Sequence, residues 1–418
     1  MDPISSRFAF DDAASDEAKI CVVGVGGGGG NAINNMVARG IQGVEFIVIN
    51  TDSQALSANL APHKIQAGQA LTKGLGAGAR PTVGAEAVNE SRKEIEEALS
   101  GFDMVFITAG MGGGTGTGGA PVVAEIARSL GILTVCIVTK PFDCEGRRRT
   151  NTALEGIELL REQVDTLIVV PNERLLDIAD ESTSLIEAFE RADAVLYNAT
   201  RGISDLITVH GLINLDFADV RTTMSNGGTA LMGSATAEGD NRAEKAAIEA
   251  ISSPLLDGLS IGGARNVLVN ITAGTSLGIR EATAATSIIQ REAGDDVEVI
   301  FGTVIDEAME DELRVTVIAT GFDRQAKLAQ KRHRTVPLDP GGPTGGPVPQ
   351  YKGEESLRYL DIPAYERRTA PRPAAQGVPV EEEPARKIRR LHKDDLQADE
   401  RPRKEGADTP AFLRKMMD

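Results

Sequence analysis

The residues Met111-Gly-Gly-Gly-Thr-Gly-Thr-Gly118 decide the fold of this chain. They follow a short β-branched run at residues 104–108 and precede a stretch with helical spacing at 121–130. Glycine lets a backbone approach a phosphate closely, and a helix N-terminus offers free N–H groups and a partial positive charge. Thr115 and Thr117 add hydroxyl donors. The pattern predicts a phosphate-binding turn between a strand and a helix.

A second glycine-rich turn, Gly24-Val-Gly-Gly-Gly-Gly-Gly-Asn31, follows the apolar run 19–25 and opens a predicted helix at 32–39. Its first, third and sixth positions satisfy the spacing G-x-G-x-x-G, which is also typical of dinucleotide-binding proteins. Neither turn contains the lysine of a P-loop. Two such turns on successive crossovers favour a nucleoside triphosphate over a dinucleotide.

Strand-like and helical stretches alternate along the first half of the chain. Apolar, β-branched runs that are typical of strands occur at 19–25, 44–50, 104–108, 133–138 and 167–170. Stretches with helical spacing lie between them, at 83–99 and 121–130. This alternation predicts an α/β fold, with a mostly parallel sheet covered by helices on both faces.

A longer helical pattern follows at 184–207, and further strands come after it. The predicted strands are 229–234, 266–272, 297–302 and 313–320, with a helix at 242–251. We interpret these as a smaller α+β domain. The predicted organisation is a disordered extension at 1–17, a nucleotide-binding α/β domain at 18–183, a central helix at 184–207, a C-terminal α+β domain at 208–322, a disordered linker at 323–405 and a terminal peptide at 406–418.

Composition excludes several classes of function. The chain has 418 residues and a net charge of −17, which argues against a nucleic-acid coat and against adhesion to an anionic membrane. Three Cys and four His are too few for a disulfide framework or a His/Cys metal cluster. The sequence has no apolar run of about 18 residues, and its acidic N-terminus argues against a secretory signal.

The last part of the chain has a different composition from the rest. Residues 323–418 carry 20 basic and 16 acidic side chains and 12 of the 19 Pro, which predicts disorder. Within the final peptide, Pro410 suits a first helical turn, and Phe412 and Leu413 fall on one side of that helix. This pattern is typical of a peptide that folds onto a partner. A partial echo lies at 361–368.

The two glycine turns together resemble the signature G-G-G-T-G-[ST]-G of the tubulin/FtsZ superfamily. Further stretches, in family order over about residues 18–322, are similar to the FtsZ family of bacterial cell-division proteins: Asn50-Thr-Asp52, Gly74-Leu-Gly-Ala-Gly-Ala79, Pro141-Phe-Asp-Cys-Glu-Gly146, Pro171-Asn-Glu173, Asn214-Leu-Asp-Phe-Ala-Asp-Val220 and Asn270-Ile-Thr-Ala-Gly274. The resemblance implies GTP binding, hydrolysis to GDP with Mg²⁺ and possible help from K⁺, and head-to-tail polymerisation into the division ring.

The resemblance also implies which residues bind the nucleotide. The phosphates would lie against Gly27, Gly28, Gly29, Gly30, Asn31, Gly112, Gly113, Gly114, Thr115, Gly116, Thr117 and Gly118. Glu145 and Arg149 would contact the ribose and its surroundings. Asn172 and Asp193 would hydrogen-bond the guanine, and Phe189 would stack on it. A carboxylate suits guanine because it accepts from both N1–H and the 2-amino group, and adenine offers no such pair of donors.

A catalytic role is implied for Asn214, Asp216 and Asp219, which would act on the GTP of the neighbouring subunit. Two acidic residues three positions apart are also common in the first turn of a helix, where the helix dipole stabilises negative charge and where both side chains lie on one face. If the implied role holds, hydrolysis requires assembly.

The terminal peptide is similar to the family's partner-binding segment, through Asp408, Pro410, Phe412, Leu413 and Arg414. It would recruit membrane-tethering and regulatory division proteins, without nucleic acid and without direct membrane insertion. The expected location is cytoplasmic, at mid-cell.

Two alternatives remain open from the sequence. A Rossmann-type NAD(P) oxidoreductase could use the turn at 24–29, with Asp52 as the ribose contact, although no His or Tyr is convincingly placed as a proton donor. A filament protein of the same fold that does not hydrolyse GTP is the other, and Asp216 and Asp219 argue against it.

Overall fold

The computed structural model describes residues 18–178, 183–209, 211–213, 215–256 and 259–322. The predictions for 1–17, 323–405 and 406–418 lie outside these residues. The strands are β1 (Ile20–Val25), β2 (Val44–Asn50), β3 (His63–Gln66), β4 (Met104–Gly110), β5 (Leu133–Lys140), β6 (Thr166–Pro171), β7 (Gly228–Glu238), β8 (Asn266–Ala273), β9 (Glu298–Ile305) and β10 (Glu312–Thr320). The α-helices are α1 (Gly26–Ala38), α2 (Ser53–Ser57), α3 (Gln69–Thr72), α4 (Pro81–Glu90), α5 (Arg92–Leu99), α6 (Thr115–Ser129), α7 (Arg147–Arg161), α8 (Leu185–Thr208), α9 (Phe217–Met224), α10 (Arg242–Ile251) and α11 (Ile279–Ala293).

All ten described strands form one sheet, in the order β3-β2-β1-β4-β5-β6-β7-β10-β8-β9. Every pairing from β3 to β7 is parallel, which confirms the predicted parallel sheet. β10 runs antiparallel to both β7 and β8, while β9 is parallel to β8. The two halves of the sheet meet where Thr166–Ile168 of β6 pair with Gly228–Ala230 of β7, a seam of three residue pairs.

Apolar side chains fill both faces of the parallel half. All six residues of β1 are buried, because helices cover that strand on both sides. Val22 belongs to the core on the face of α1 and α8, and Val23 belongs to the core on the face of α6. A third core lies between α10, α11 and the strands β7, β8 and β10. None of the described helices combines the length and the hydropathy that a membrane crossing needs.

The helices beside the two glycine turns begin earlier than predicted. α1 begins at Gly26 rather than residue 32, and α6 begins at Thr115 rather than 121. The low helix propensity of glycine indicates a loop, but close packing between the turns requires glycine inside the helices. A methyl group at Gly26, whose φ is +73°, would lie 2.8 Å from the backbone nitrogen of Gly116.

Two other helical predictions change in detail. The stretch predicted as one helix at 83–99 is two, α4 and α5, with Ser91 between them outside helical geometry. The apolar spacing continues across this break, so spacing alone cannot reveal it. The central helix lies at Leu185–Thr208 instead of 184–207 because Ser184 caps it: the Ser184 hydroxyl accepts from the backbone of Glu187, whose carboxylate accepts from the Ser184 N–H.

Candidate functional site

A cleft opens at the edge of the sheet where β1, β4, β5 and β6 end, the edge at which parallel α/β sheets bind ligands. It is lined by Gly28, Asn31, Gly110, Met111, Thr139, Pro141, Glu145, Arg149, Asn172, Phe189, Ala192, Asp193 and Leu196. The predicted residues that the structure brings together here are Gly28, Asn31, Glu145, Arg149, Asn172, Phe189 and Asp193. They come from four separate segments of the chain.

The two glycine turns pack backbone to backbone at the floor of this cleft. A methyl group at Gly28 would lie 3.0 Å from Cα of Gly110, and one at Gly29 would lie 2.4 Å from the carbonyl oxygen of Thr108. By contrast, a methyl group at Gly27 or Gly113 would meet nothing within 4 Å. α1 and α6 therefore begin side by side, and their N-termini form a favourable site for an anion.

Several residues of the predicted phosphate set have a structural role within the turns. The Thr115 hydroxyl lies 2.6 Å from that of Thr51, and the Thr117 hydroxyl accepts from the Gly112 N–H at 2.8 Å. A methyl group at Gly118 would lie 1.9 Å from the carbonyl oxygen of Pro81, so this glycine allows α6 to pack on α4. Close contacts with protein atoms also surround Gly30, Gly114 and Gly116.

An ion pair forms one wall of the cleft. Arg149, in the first turn of α7, bonds the Glu145 carboxylate at 3.1 Å. The other oxygen of Glu145 accepts from the Phe142 N–H at 2.9 Å. The Arg149 side chain packs over Gly112, where a methyl group would lie 2.6 Å from its Cγ. Arg149 therefore joins the second glycine turn to the wall on which a ribose is predicted.

Three further side chains that line the cleft suit a purine base. Asn172 is buried, and its Oδ1 has no hydrogen-bond partner among the described residues, so it can accept from a ligand. Phe189 is 40% exposed, and its ring meets Phe142 edge-on at 5.3 Å, which leaves part of the ring accessible. Burial, with a smaller contribution from Glu190, raises the pKa of Asp193 to about 6.

Asp216 and Asp219 lie at the opposite edge of the sheet. Both are exposed, at the cap and in the first turn of α9. α9 is held there because Arg221 donates to the carbonyl oxygen of Asp103, the residue before β4, at 3.2 Å. A seven-residue strand such as β4 is about 20 Å long, so these carboxylates cannot reach the cleft of their own chain. Asn214 lies outside the described residues.

The helix α8 connects the two edges. Phe189 and Asp193 near its start line the cleft. Thr208 at its end packs against Gly43, just before β2, where a methyl group would lie 2.6 Å from the Thr208 Cβ. Fifteen residues separate Asp193 from Thr208, which corresponds to about 22 Å of helix. The residues predicted to bind the base therefore lie near the start of α8, and the segment that carries Asp216 and Asp219, the acidic segment, follows its far end.

Several residues that line the cleft were not predicted from the sequence. Thr139 lies near the end of β5, and the rule that ligands bind at the carboxyl ends of parallel strands could have indicated it. Ala192 and Leu196 lie three and seven residues after Phe189, so helical spacing places them on the same face. Because alanine and leucine have no polar or titratable group, nothing in the sequence marks these two residues as part of a binding site.

Comparison with known proteins agrees with this geometry. A model of the tubulin/FtsZ family, GTPase domain, matches residues 19–180, and a model of the FtsZ family, C-terminal domain, matches 228–323. An empty FtsZ dimer from M. jannaschii is 45% identical, covers 74% of this chain and 89% of its own, and has a TM-score of 0.71. GDP-bound CetZ1 from Haloferax volcanii is 22% identical, covers 75% of this chain and 98% of its own, and has a TM-score of 0.64, which shows the fold alone.

The alternative of an NAD(P) oxidoreductase is wrong, because residues 19–180 match a GTPase domain. Its proposed ribose contact is also occupied, since Asp52 caps α2 by accepting from the N–H groups of Gln54 and Ala55. The second glycine turn, which a dinucleotide site does not need, packs on the first. This chain belongs to the FtsZ family, the guanine-nucleotide-binding, tubulin-like GTPases of the cell-division cytoskeleton.

Proposed function

We propose that this chain hydrolyses GTP only when copies of it stack head to tail. The observation that carries the proposal is the position of the cleft and of the acidic segment, at opposite edges of the sheet. A second copy in the same orientation would place its Asp216 and Asp219 over the cleft of the first. One FtsZ relative of known structure, from M. jannaschii, is a dimer, which supports self-association.

Each subunit would contribute a different part of the reaction. The N-termini of α1 and α6 would bind the phosphates by backbone N–H groups. Asp216 and Asp219 of the next subunit, both exposed, would accept hydrogen bonds from the attacking water and orient it toward the γ-phosphate. Phosphoryl transfer depends mainly on positioning and electrostatics, so a site divided between two chains can perform it.

The base end of the cleft would select guanine. The ionised Asp193 carboxylate would accept from N1–H and the 2-amino group, the unpartnered Oδ1 of Asn172 would accept a further donor, and Phe189 would stack on the ring. Glu145 and Arg149 would contact the ribose.

Mg²⁺ is proposed as the cofactor, and K⁺ only from the resemblance. The described residues contain no group of three or more His, Cys, Asp or Glu side chains that could hold a metal ion. These residues therefore fit an ion that phosphate oxygens and water bind for the most part, as is common for Mg²⁺. When bound, Mg²⁺ would neutralise phosphate charge.

Further partners are proposed for the end of the chain, from its sequence pattern. Asp408, Pro410, Phe412, Leu413 and Arg414 would dock on membrane-tethering and regulatory division proteins and so place the filaments at mid-cell on the inner face of the membrane. These residues lie outside the described part.

The concentration dependence of hydrolysis tests the proposed function. We expect the GTPase rate per subunit to rise steeply above a threshold concentration, because the site forms only between subunits. Phosphate release and light scattering, measured together across a dilution series, check this. A rate per subunit that stays constant from dilute to concentrated protein would overturn the shared site. Assembly without phosphate release would indicate a filament protein that does not hydrolyse GTP.

The raised pKa of Asp193 predicts that nucleotide binding depends on pH. Only the ionised carboxylate can accept two hydrogen bonds from guanine, and the protonated fraction grows as the pH falls through about 6. Below that pH, we expect the affinity for GDP to fall by up to about tenfold per pH unit. Fluorescence titration of the dilute protein between pH 5 and 8 measures it. Asp193→Asn is the control, and the same pH slope in that variant would contradict the assignment.

A further inference from the structure

At three points the helix α8 meets the C-terminal half of the sheet closely, through a glycine or a polar side chain. Gly202 faces Thr316, whose Cγ2 would lie 2.9 Å from a methyl group at that glycine. Likewise, a methyl group at Gly302 of β9 would lie 2.6 Å from the Cδ2 of Leu206. The Asn270 amide donates to the carbonyl oxygen of Gly202 at 2.9 Å. Buried apolar side chains fill the rest of this interface, and the Asn270 bond adds a polar anchor that fixes one point of α8 along the sheet.

The strongest of these anchors is Arg201. Its guanidinium donates to Asp306 at 2.7 Å, to Asp205 at 2.9 Å and to the Tyr197 hydroxyl at 3.1 Å. The Arg201 and Asp306 side chains are only 25% and 23% exposed, so solvent screens this pair less than it screens a surface pair. The Tyr197 ring also stacks under Arg39, at the end of α1, at 4.9 Å. The network therefore links α8 to the helix that begins at the cleft.

Asp306 follows β9 directly, and β9 also supports the acidic segment. The Ile213 N–H donates to the Thr303 hydroxyl at 3.0 Å, and the Thr303 N–H donates to the Ile213 carbonyl oxygen at 3.1 Å. Thr303 lies three residues before Asp306 and Ile213 three residues before Asp216. One strand thus contacts α8 through Arg201 and positions the start of the segment that carries Asp216 and Asp219.

We propose that Arg201 is a positioning residue for GTP hydrolysis, which acts by holding α8 to Asp306 at the end of β9. The bond sets the distance between the base-binding end of α8 and the acidic segment at the far edge. In a stack of subunits, the same distance determines where Asp216 and Asp219 meet the next nucleotide. This inference rests on the proposed head-to-tail site.

The test uses two variants of the full chain that break the same bond from either side. Arg201→Met keeps most of the apolar stem and removes the charge. Asp306→Asn removes the charge but keeps a side-chain oxygen. That oxygen can still accept from the Ala308 N–H, which donates to the Asp306 carboxylate at 3.1 Å. The control is Arg92→Met, which breaks a comparable ion pair with Glu125, also 2.7 Å long, between α5 and α6. The measurements are GDP affinity, the unfolding midpoint, the pelleted fraction and kcat per pelleted subunit.

We expect both variants to lose about tenfold in kcat per pelleted subunit, with GDP affinity unchanged. The double variant should lose no more than either single variant, because the two side chains act through one bond. Wild-type kcat in both variants, additive losses in the double variant, or an equal loss in Arg92→Met would overturn the proposal. The wild-type dilution series distinguishes the two proposals, since a rate without a threshold there would refute the shared site itself.

Discussion

An Asp219→Ala variant is expected to bind GTP with wild-type affinity and to lose turnover by a factor of about 10²–10³. The side chain is exposed at the far edge of the sheet, so its removal changes neither the core nor the cleft. What it removes is the carboxylate that would orient the attacking water in the next subunit. Nucleotide titration of the dilute protein and phosphate release from pelleted polymer measure the two properties separately.

Glu249→Ala is the matched control for Asp219→Ala, because Glu249 is also an exposed helical carboxylate and lies on α10. We expect its turnover to equal that of the wild type. Turnover close to wild type in Asp219→Ala, with polymer present, would refute the catalytic assignment of Asp219.

A Gly27→Ala variant is expected to weaken GTP binding by at least about tenfold, with an unfolding midpoint that is unchanged or higher. A methyl group there meets no protein atom within 4 Å, so it would extend into the open space where the phosphates are proposed to bind. Alanine also favours a helix over glycine by up to about 1 kcal/mol, and Gly27 lies in the first turn of α1. The measurements are nucleotide titration and thermal unfolding.

Gly29→Ala, two residues further along the same turn, provides the contrast. Its methyl group would lie 2.4 Å from the carbonyl oxygen of Thr108, so the backbone must shift and we expect the unfolding midpoint to fall. If Gly27→Ala instead behaves like Gly29→Ala, or binds GTP normally, the phosphates do not lie over this turn.

Mixing the two main variants provides a decisive test of the shared site. Asp219→Ala has an intact cleft, and Gly27→Ala has an intact acidic segment. The assay uses a GTP concentration that saturates only the intact clefts. Some junctions of a mixed polymer then combine the cleft of an Asp219→Ala subunit with the acidic segment of a Gly27→Ala subunit. We expect the mixture to release phosphate faster than the sum of the two proteins assayed alone. A rate equal to that sum, with both variants present in the pellet, would place the whole site within one chain.

The sequence predicts much of the fold because apolar, β-branched runs mark the buried strands. The helix at 242–251 is confirmed without change as α10. The prediction missed α11, whose buried positions are mostly alanines at 282, 285 and 293, which give little apolar contrast. It also missed β3, a four-residue strand in which only Ile65 is buried. Both elements depend on tertiary contacts more than on their own pattern.

The candidate site is less predictable from residues alone. The glycine turns indicate a phosphate site by composition, and the family resemblance supplied Asn172, Phe189 and Asp193. Neither the unpartnered oxygen of Asn172 nor the raised pKa of Asp193 can be read from the sequence, because both depend on burial by distant segments. The Arg201–Asp306 bond joins residues 105 apart, and no local pattern indicates it.

The separation of the cleft from the acidic segment would also give the proposed stack of subunits two unlike ends. One terminal subunit presents an open cleft, and the other presents carboxylates with no nucleotide opposite them. Within the proposed stack, each cleft would be covered by its neighbour, so GDP formed there would be trapped until that junction opens. Replacement of GDP by GTP would then occur at one end or after disassembly, and the nucleotide content of a filament would record its age.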